Sequence, residues 1–414
     1  MEREVIIIGG GIVGLSCAHQ LLTRGISVTV IDRDPEGDKA SIGNAGGIAV
    51  TEVVPASIPG LIWRVPGWLL DPLGPLSIRS RYVVRITPWL LRFLRAGRVD
   101  RMNAIATALA ALNVRAHEDW MPVLAEIGLA SELHRAGALA LYETAAAFQR
   151  DRAEWELRRN FGIVCELKTG AEAREMEPAL GSIVEHAMWL PQWSHVSDPQ
   201  QIVAGLLASV RSKSANVVKG LAAHVENVDG SHCVVRMSDG RSFTGSSLVV
   251  AAGAWSAKIC AQLGERVPLE SERGYTTTIP DPRLTLNHMM IFAERKFVAA
   301  PLACGLRIGG AAEFGGLDAP PNYARSKALV GSAKRYLPDL NGIGGTEWMG
   351  HRPATPDSLP VIGRSQHFPN VFYAFGHGHL GLTQAATTGR LIAQLIAGEP
   401  SSVDLEPYGA QRFQ

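Results

Sequence analysis

The opening of the chain constrains its fold more than any other stretch. Glu4-Val5-Ile6-Ile7-Ile8 is an apolar run that enters Gly9-Gly10-Gly11-Ile12-Val13-Gly14 directly. An apolar-periodic helix follows, and then Ser27-Val28-Thr29-Val30-Ile31-Asp32. A strand, a Gly-x-Gly-x-x-Gly turn, a helix and a second strand ending on an acid form one parallel βαβ unit, far more specific than the glycine pattern alone. Gly9 permits the tight turn, and Gly11 lets the backbone approach a pyrophosphate. Gly14 lets the helix pack closely on the strand. The helix start at Ile12 and Val13 offers unpaired N–H groups to phosphate oxygens. Asp32, with Arg33 beside it, is expected to accept hydrogen bonds from an adenosine ribose and to repel a 2′-phosphate. A bound dinucleotide is the expectation.

With 414 residues the chain suits two interleaved domains better than one small core. Hydrophobic residues make up 46% and charged residues 19%, as in an ordinary globular protein. The net charge of +1 supplies no field for nucleic acid, so no such partner is expected. The five cysteines (Cys17, Cys165, Cys233, Cys260, Cys304) are scattered without a Cys-x-x-Cys pair. Neither a disulfide framework nor a metal site is indicated, and a cytoplasmic location fits that usage. The apolar N-terminus matches the nucleotide fold rather than a signal peptide, and no run of eighteen apolar residues suggests a membrane span. Residues 79–98 set Arg79, Arg81, Arg85, Arg92, Arg95 and Arg98 around Trp89, Leu90, Leu91, Phe93 and Leu94. A basic amphipathic helix of this kind can lie on the inner membrane face, or pack on its own domain with a solvated side. The sequence leaves both open.

Small residues fill Ser41–Ile48, and proline and glycine punctuate residues 55–75 as in a linker. Apolar spacing predicts helices over 100–130 and 145–161, and strands over 186–190 and 233–237. The run from Ser246 to Ala252 reads as a buried parallel strand that ends at Gly253-Ala254-Trp255 and enters a helix. Alternation through 274–310 predicts an antiparallel sheet. Near the C-terminus, a strand over 370–375 meets a second glycine turn, Gly376-His377-Gly378-His379-Leu380-Gly381, and a helix to Ala397. No acid-tipped strand follows it, so it is not a second nucleotide fold.

Three glycine-rich strand-to-helix turns, at 9–14, 253–256 and 376–383, span the whole chain. An NAD enzyme has no need for its C-terminus to return to the cofactor, whereas FAD is long enough to touch all three. The last turn, with N–H groups from Gly378 to Thr383, would place positive potential at the flavin N1/C2=O edge. FAD, held noncovalently, is therefore expected.

These segments, with Trp348-Met349-Gly350-His351-Arg352-Pro353-Ala354-Thr355-Pro356-Asp357 and Pro360-Val361-Ile362-Gly363, resemble the FAD-dependent D-amino acid oxidase superfamily over essentially the full chain. Within it the chain resembles the bacterial D-amino acid dehydrogenase branch. The resemblance implies an α/β and α+β protein, with a doubly wound FAD-binding domain built from 1–75, 190–262 and 340–414. A second domain on an antiparallel sheet would use 76–189 and 263–339. It implies that Ser41, Asn44, Ala45, Gly46, Gly47 and Ile48 serve the flavin end, with Ala252, Gly253, Trp255, Gly378, His379, Leu380, Gly381 and Thr383 also at the cofactor. Val225 would meet the adenine side through its backbone. Arg352, in the Gly-x-Arg-Pro position, would grip a substrate carboxylate, which suits a planar guanidinium that makes two parallel charge-assisted bonds. Tyr275 would sit over the flavin and reach the same carboxylate, while Arg307 and His288 read as structural.

The implied reaction is hydride transfer from Cα of a D-amino acid to flavin N5, with electrons passed on to a quinone or another acceptor. No general base is nominated. His379 and Leu382 depart from the usual turn of the dehydrogenases, and Asp357-Ser358-Leu359-Pro360 leans toward a hydroxyproline-type subgroup. D-proline or 4-hydroxy-D-proline is thus an alternative substrate. A non-catalytic FAD-binding subunit and an NAD-linked dehydrogenase also remain open from sequence.

Overall fold

The computed structural model describes residues 4–69, 71, 73–228 and 230–414. The opening motif folds as its pattern requires, with strands Glu4–Ile8 and Ser27–Asp32 joined by helix Ile12–Thr23. They belong to a six-stranded sheet in the order Asn216–Lys219, Ser27–Asp32, Glu4–Ile8, Ser247–Val250, Val371–Phe375, Val361–Arg364. The first five strands run parallel and the last is antiparallel to its neighbour.

Near-continuous Val and Ile in these strands reflect burial on both faces. Val5, Ile7, Val28 and Val30 point to the side of helices Ile12–Thr23 and Gly381–Ala397. Ile6, Ile8, Ile31 and Leu248 lie under a three-stranded meander, Ala222–Val228, His232–Met237 and Ser242–Gly245, together with helix Ser256–Gln262. The winding is therefore uneven, with helices on one face and largely β-structure on the other. Two glycines set the close approaches. Gly9 holds φ +114°, and a Cβ there would lie 2.3 Å from the Ala251 carbonyl oxygen. A Cβ on Gly14 would lie 1.9 Å from the Gly9 carbonyl oxygen.

The second large sheet has nine strands. Its path runs Thr346–Ala354, Glu270–Ile279, Gly305–Phe314, Phe297–Leu302, Met289–Phe292, Ala138–Tyr142, His186–Leu190, Glu166–Thr169, with Leu76–Ile78 added beside Gly305–Phe314. It is mixed rather than antiparallel throughout. Met289–Phe292 runs parallel to Ala138–Tyr142, and Leu76–Ile78 parallel to Gly305–Phe314. Thr346–Ala354, placed by chain position with the nucleotide part, pairs instead with Glu270–Ile279 and brings Arg352 opposite Glu272.

The helices expected over 100–130 and 145–161 each form as two pieces, Val99–Asn113 with Ala116–Glu126, and Ala145–Arg150 with Arg152–Asn160. The first pair is anchored on the C-terminal helix. Trp120 Nε1 donates to the Leu382 carbonyl at 2.8 Å, and Arg390 pairs with Asp119 at 2.7 Å. Residues 79–98 contain helix Val83–Ala96, whose Ile86 and Trp89 are buried. Among the described residues, no helix is long and apolar enough to cross a membrane.

Candidate active site

A cavity of about 1690 Å3 runs between the two large sheets, beyond the roughly 300–1,000 Å3 usual for a small-ligand site. One end is built by the opening motif. Gly9, Gly11, Ile12, Val13, Asp32 and Arg33 all line it, as do Ala252, Gly253 and Trp255 of the second turn. The helix start at Gly11 carries no cap from its own side chain, and Ser41 Oγ accepts the Ile12 N–H at 2.9 Å. Asp32 Oδ2 accepts from the Gly10 N–H at 2.6 Å and Oδ1 from the Asp34 N–H at 2.9 Å. The acid thus braces the glycine turn from the tip of its strand. Arg33 lies over the Trp255 ring, 4.5 Å from its centroid.

The loop at 41–48 is fixed from four directions. Asn44 accepts the Gly46 N–H at 2.8 Å and donates to the Ser41 carbonyl at 2.6 Å. Gly47 and Ile48 pair with His195 and Ser194. Arg307 reaches down from the large sheet to the carbonyls of Ile42 and Asn44, at 3.1 and 2.7 Å. Thr383 Oγ1 accepts the Ala49 N–H at 2.9 Å. Ser41, Asn44, Ala45 and Gly47 line the cavity; Gly46 and Ile48 face away into supporting contacts. Gly14 and Thr383 also lie behind the lining, where they set backbone spacing.

Gly378, His379, Leu380 and Gly381 enter from the C-terminal turn, ahead of a helix without a side-chain cap. Gly378 N–H donates to the Pro353 carbonyl at 2.9 Å, which ties this turn to the strand that carries Arg352. His377 is fully buried against Thr388, and burial pushes its pKa down to about 3, so it stays neutral. Burial, with Arg273 and Arg33 nearby, lowers His351 to about 4.

On the roof, side chains alternate along Glu270–Ile279. Glu272, Gly274 and Thr276 face the cavity. Arg352 also lines it, donating from Nη1 to Glu272 Oε1 at 2.7 Å and to the Ala311 carbonyl at 3.0 Å. The guanidinium lies so close over Gly274 that a Cβ there would be 2.4 Å from Arg352 Cζ. Thr276 lines the cavity, and its Oγ1 is buried without a hydrogen-bond partner.

Two expected contacts lie elsewhere. Tyr275 is on the opposite face of its strand, fully buried, with its hydroxyl donated to Glu313 and accepting the Asn322 N–H at 3.0 Å. Arg273 shares that face and the same acid. Strand parity thus places Tyr275 in a structural network away from Arg352. Val225 is buried within the meander, in strand Ala222–Val228, with its N–H given to Gln262 at 2.8 Å, while Gly220 to Ala223 form the cavity wall near Asp32. His288 pairs with Glu177 at 3.3 Å. Sequence reasoning missed Glu272, Thr276, and Trp348, whose Nε1 donates to Asp38 at 2.6 Å. Glu272 had a signal: it precedes Arg273-Gly274-Tyr275, and alternation from Gly274 puts it on the same face.

The lining fits an extended dinucleotide: a side-chain-free glycine turn at a helix start, an acid-tipped strand, and a second helix start without a side-chain cap at the far end. A family model described as FAD dependent oxidoreductase (DAO) matches residues 4–395. A D-amino-acid oxidase from Bradyrhizobium diazoefficiens is 34% identical, covering 99% of both chains. A D-amino acid dehydrogenase from Paramagnetospirillum magneticum is 31% identical, again over 99% of both. Among solved structures, iminodiacetate oxidase from Chelativorans sp. BNC1 superposes with a TM-score of 0.74 at 23% identity, over 98% of each chain. Glycine oxidase from Geobacillus kaustophilus gives 0.74 at 23%, over 99% of each. The chain belongs to the DAO family of FAD-dependent oxidoreductases. It is a flavoenzyme with FAD as its cofactor.

Proposed function

We propose that this enzyme oxidises D-amino acids at the Cα–N bond, giving an imine that water converts to the 2-oxo acid. Bound FAD supplies the two-electron acceptor for the hydride that leaves Cα. The observation that carries the reading is Arg352, a guanidinium on the cavity wall of a flavoenzyme, with Glu272 beside it at 2.7 Å. The substrate carboxylate takes the N–H groups of Arg352 that face the cavity, which fixes its plane as well as its position. Glu272 meets the amino group and accepts its proton, since a neutral amine must be present when hydride departs. The pair therefore matches a zwitterion. Met289, Ile291 and Val298 on the same roof keep the surroundings apolar, and alignment in that dry space supplies the acceleration. His351 and His377, neutral near pH 7, add no competing charge. Relatives named as a D-amino-acid oxidase and D-amino acid dehydrogenases support the substrate class.

A cyclic imino acid, D-proline or 4-hydroxy-D-proline, is the second reading, favoured by Thr276. Thr276 lines the cavity two residues along the strand from Gly274, about 7 Å away, and a χ1 rotation would bring its buried, unpaired hydroxyl to the cavity face. A ring hydroxyl would pair with it while the carboxylate is held at Arg352. The proposed acceptor is a quinone rather than oxygen, reached at the inner face of a membrane.

Anaerobic mixing with D- and L-amino and imino acids tests the reading. D-amino acids should bleach the flavin absorbance and leave the 2-oxo acid. Faster bleaching by 4-hydroxy-D-proline, with a cyclic imine as product, would select the second reading. Bleaching by L-enantiomers alone, or by no amino or imino acid, would overturn both.

A further inference from the structure

Two helices border the mouth of the cavity, Leu61–Leu69 and Val83–Ala96. Their inner faces line it through Leu61, Val65, Trp68, Trp89, Leu90 and Phe93. Their outer faces are unusually apolar for a surface in water. Trp63 and Val84 are each 86% exposed, and Ile62 and Leu91 each 52%. Ile62 and Leu94 both line the cavity and reach the outside, so the apolar surface is continuous with the rim of the opening. Isolated exposed apolar residues are ordinary, but a contiguous group around an opening marks an interaction surface.

The charges on helix Val83–Ala96 and on the turn just before it, Ser80–Tyr82, are of one sign. Arg81, Arg85, Arg92 and Arg95 are all exposed. Between residues 53 and 99 there are seven arginines and one acid, Asp71, in a chain whose net charge is only +1; Arg79 pairs with Glu313 and Arg98 with Asp100. Aromatic and aliphatic side chains beside arginines suit the boundary between headgroups and acyl chains, where the apolar groups enter and the guanidinium groups meet lipid phosphates.

We propose that the outer faces of these two helices dock the enzyme on an anionic phospholipid bilayer, with the cavity mouth against the lipid. The choice of occupant rests on charge complementarity, because a second copy of the chain would set these arginines against one another. The proposal rests on the reading of a membrane-borne acceptor for its consequence alone: a lipophilic quinone would pass from the acyl region into the mouth without crossing bulk water. Docking itself is independent of substrate.

Flotation of the FAD-loaded protein with vesicles tests it, with no amino acid present. Binding should be strong to equal mixtures of phosphatidylglycerol and phosphatidylcholine. It should be at least tenfold weaker to phosphatidylcholine alone, and should fall as salt is raised. The variant Trp63→Ser/Arg85→Glu/Arg92→Glu should lose at least tenfold in vesicle affinity while it keeps its yellow colour and its reduction of a water-soluble dye. None of the three residues lines the cavity. Arg85→Lys/Arg92→Lys should still float. Equal binding of wild type to both vesicle types, no binding to either, or unchanged binding of the charge-reversed variant would each overturn docking. A dimer in ultracentrifugation that the charge-reversed variant splits would assign the face to a second copy instead. Failure to oxidise any amino acid would leave the vesicle result standing, since the two readouts are separate.

Discussion

Arg352 is held in a way that makes its replacement informative. Its Nη1 already spends its bonds on Glu272 and the Ala311 carbonyl, so the strand keeps the guanidinium fixed whether or not substrate is present. Arg352→Ala should therefore keep the colour but lose about a hundred- to several-thousand-fold in kcat/KM, roughly 3–5 kcal/mol for a charge-assisted bidentate contact in a dry site. Part of the loss should fall in kcat, because the same grip aims Cα. Arg352→Lys should recover only some of it, and amines without a carboxylate should be slow and indifferent to either change. Equal losses for both substrate classes would make the residue structural. Glu272→Gln separates zwitterion recognition from a plain ion pair. It should weaken amino acid turnover roughly tenfold or more, yet tighten binding of carboxylates that lack an amine, read as a flavin difference spectrum. Parallel weakening of both ligand types would remove Glu272 from the substrate. The sequence motif pointed to Arg352, which lines the cavity, whereas Tyr275 lies on the opposite face, because a motif does not state which face of a strand meets the cavity. Alternation from Gly274, which must admit the guanidinium, settles the parity.

At the scale of elements, the site depends on how closely two helices cross whose starts both line the cavity. Helix Gly381–Ala397 lies against helix Ile12–Thr23 at Gly389, where a Cβ would come within 2.6 Å of the Ser16 backbone. Their N-termini are thereby set as parts of one packed pair. Gly389→Leu should force the helices apart, cost about 1–3 kcal/mol of stability, and weaken FAD binding in a titration of apoprotein. Gly331, inside helix Ala324–Tyr336 with open space around its Cβ direction, is the control. Gly331→Ala should be neutral or stabilising by up to about 1 kcal/mol, and a loss there equal to that at Gly389 would undo the packing argument. Periodicity read most of these elements correctly, because burial on one or two faces leaves a repeat in the residues. The break near Asp151 was not legible, since the helices on either side continue the same apolar spacing across it. Nor was the anchoring of the 41–48 loop by Arg307, a contact between residues more than 260 positions apart.

For the whole molecule, the sequence carried the cofactor fold because its turns are local and its strands doubly buried. Sheet membership was less legible: Thr346–Ala354 follows the large-sheet residues in the chain and precedes the last parallel strand, and only its pairing with Glu270–Ile279 decides its place. The assembled interior also fixes an acid response that no single segment announces. Burial holds three histidines neutral, lowering His377 to about 3, and His195 and His351 to about 4 with help from neighbouring positive groups. An unfolded chain protonates them near 6.5, so below that pH it binds more protons than the folded one, and stability falls as pH drops. The decline should begin near pH 6.5 and continue to about 4 for His195 and His351 and about 3 for His377, levelling for each once its folded pKa is passed. Glu143 acts later. Hydrogen bonds from Arg295 and Tyr336 lower it to about 2, so its contribution disappears between about 4.5 and 2. Thermal melts at saturating FAD should thus show Tm falling well before carboxylates titrate. His377→Gln, which cannot take up a proton, should make the slope between pH 6.5 and 4 shallower while it lowers Tm at pH 7 through lost packing. A Tm that stays flat down to pH 4.5 in the wild type, or an unchanged slope in the variant, would show that these histidines do not govern the acid limit of the fold.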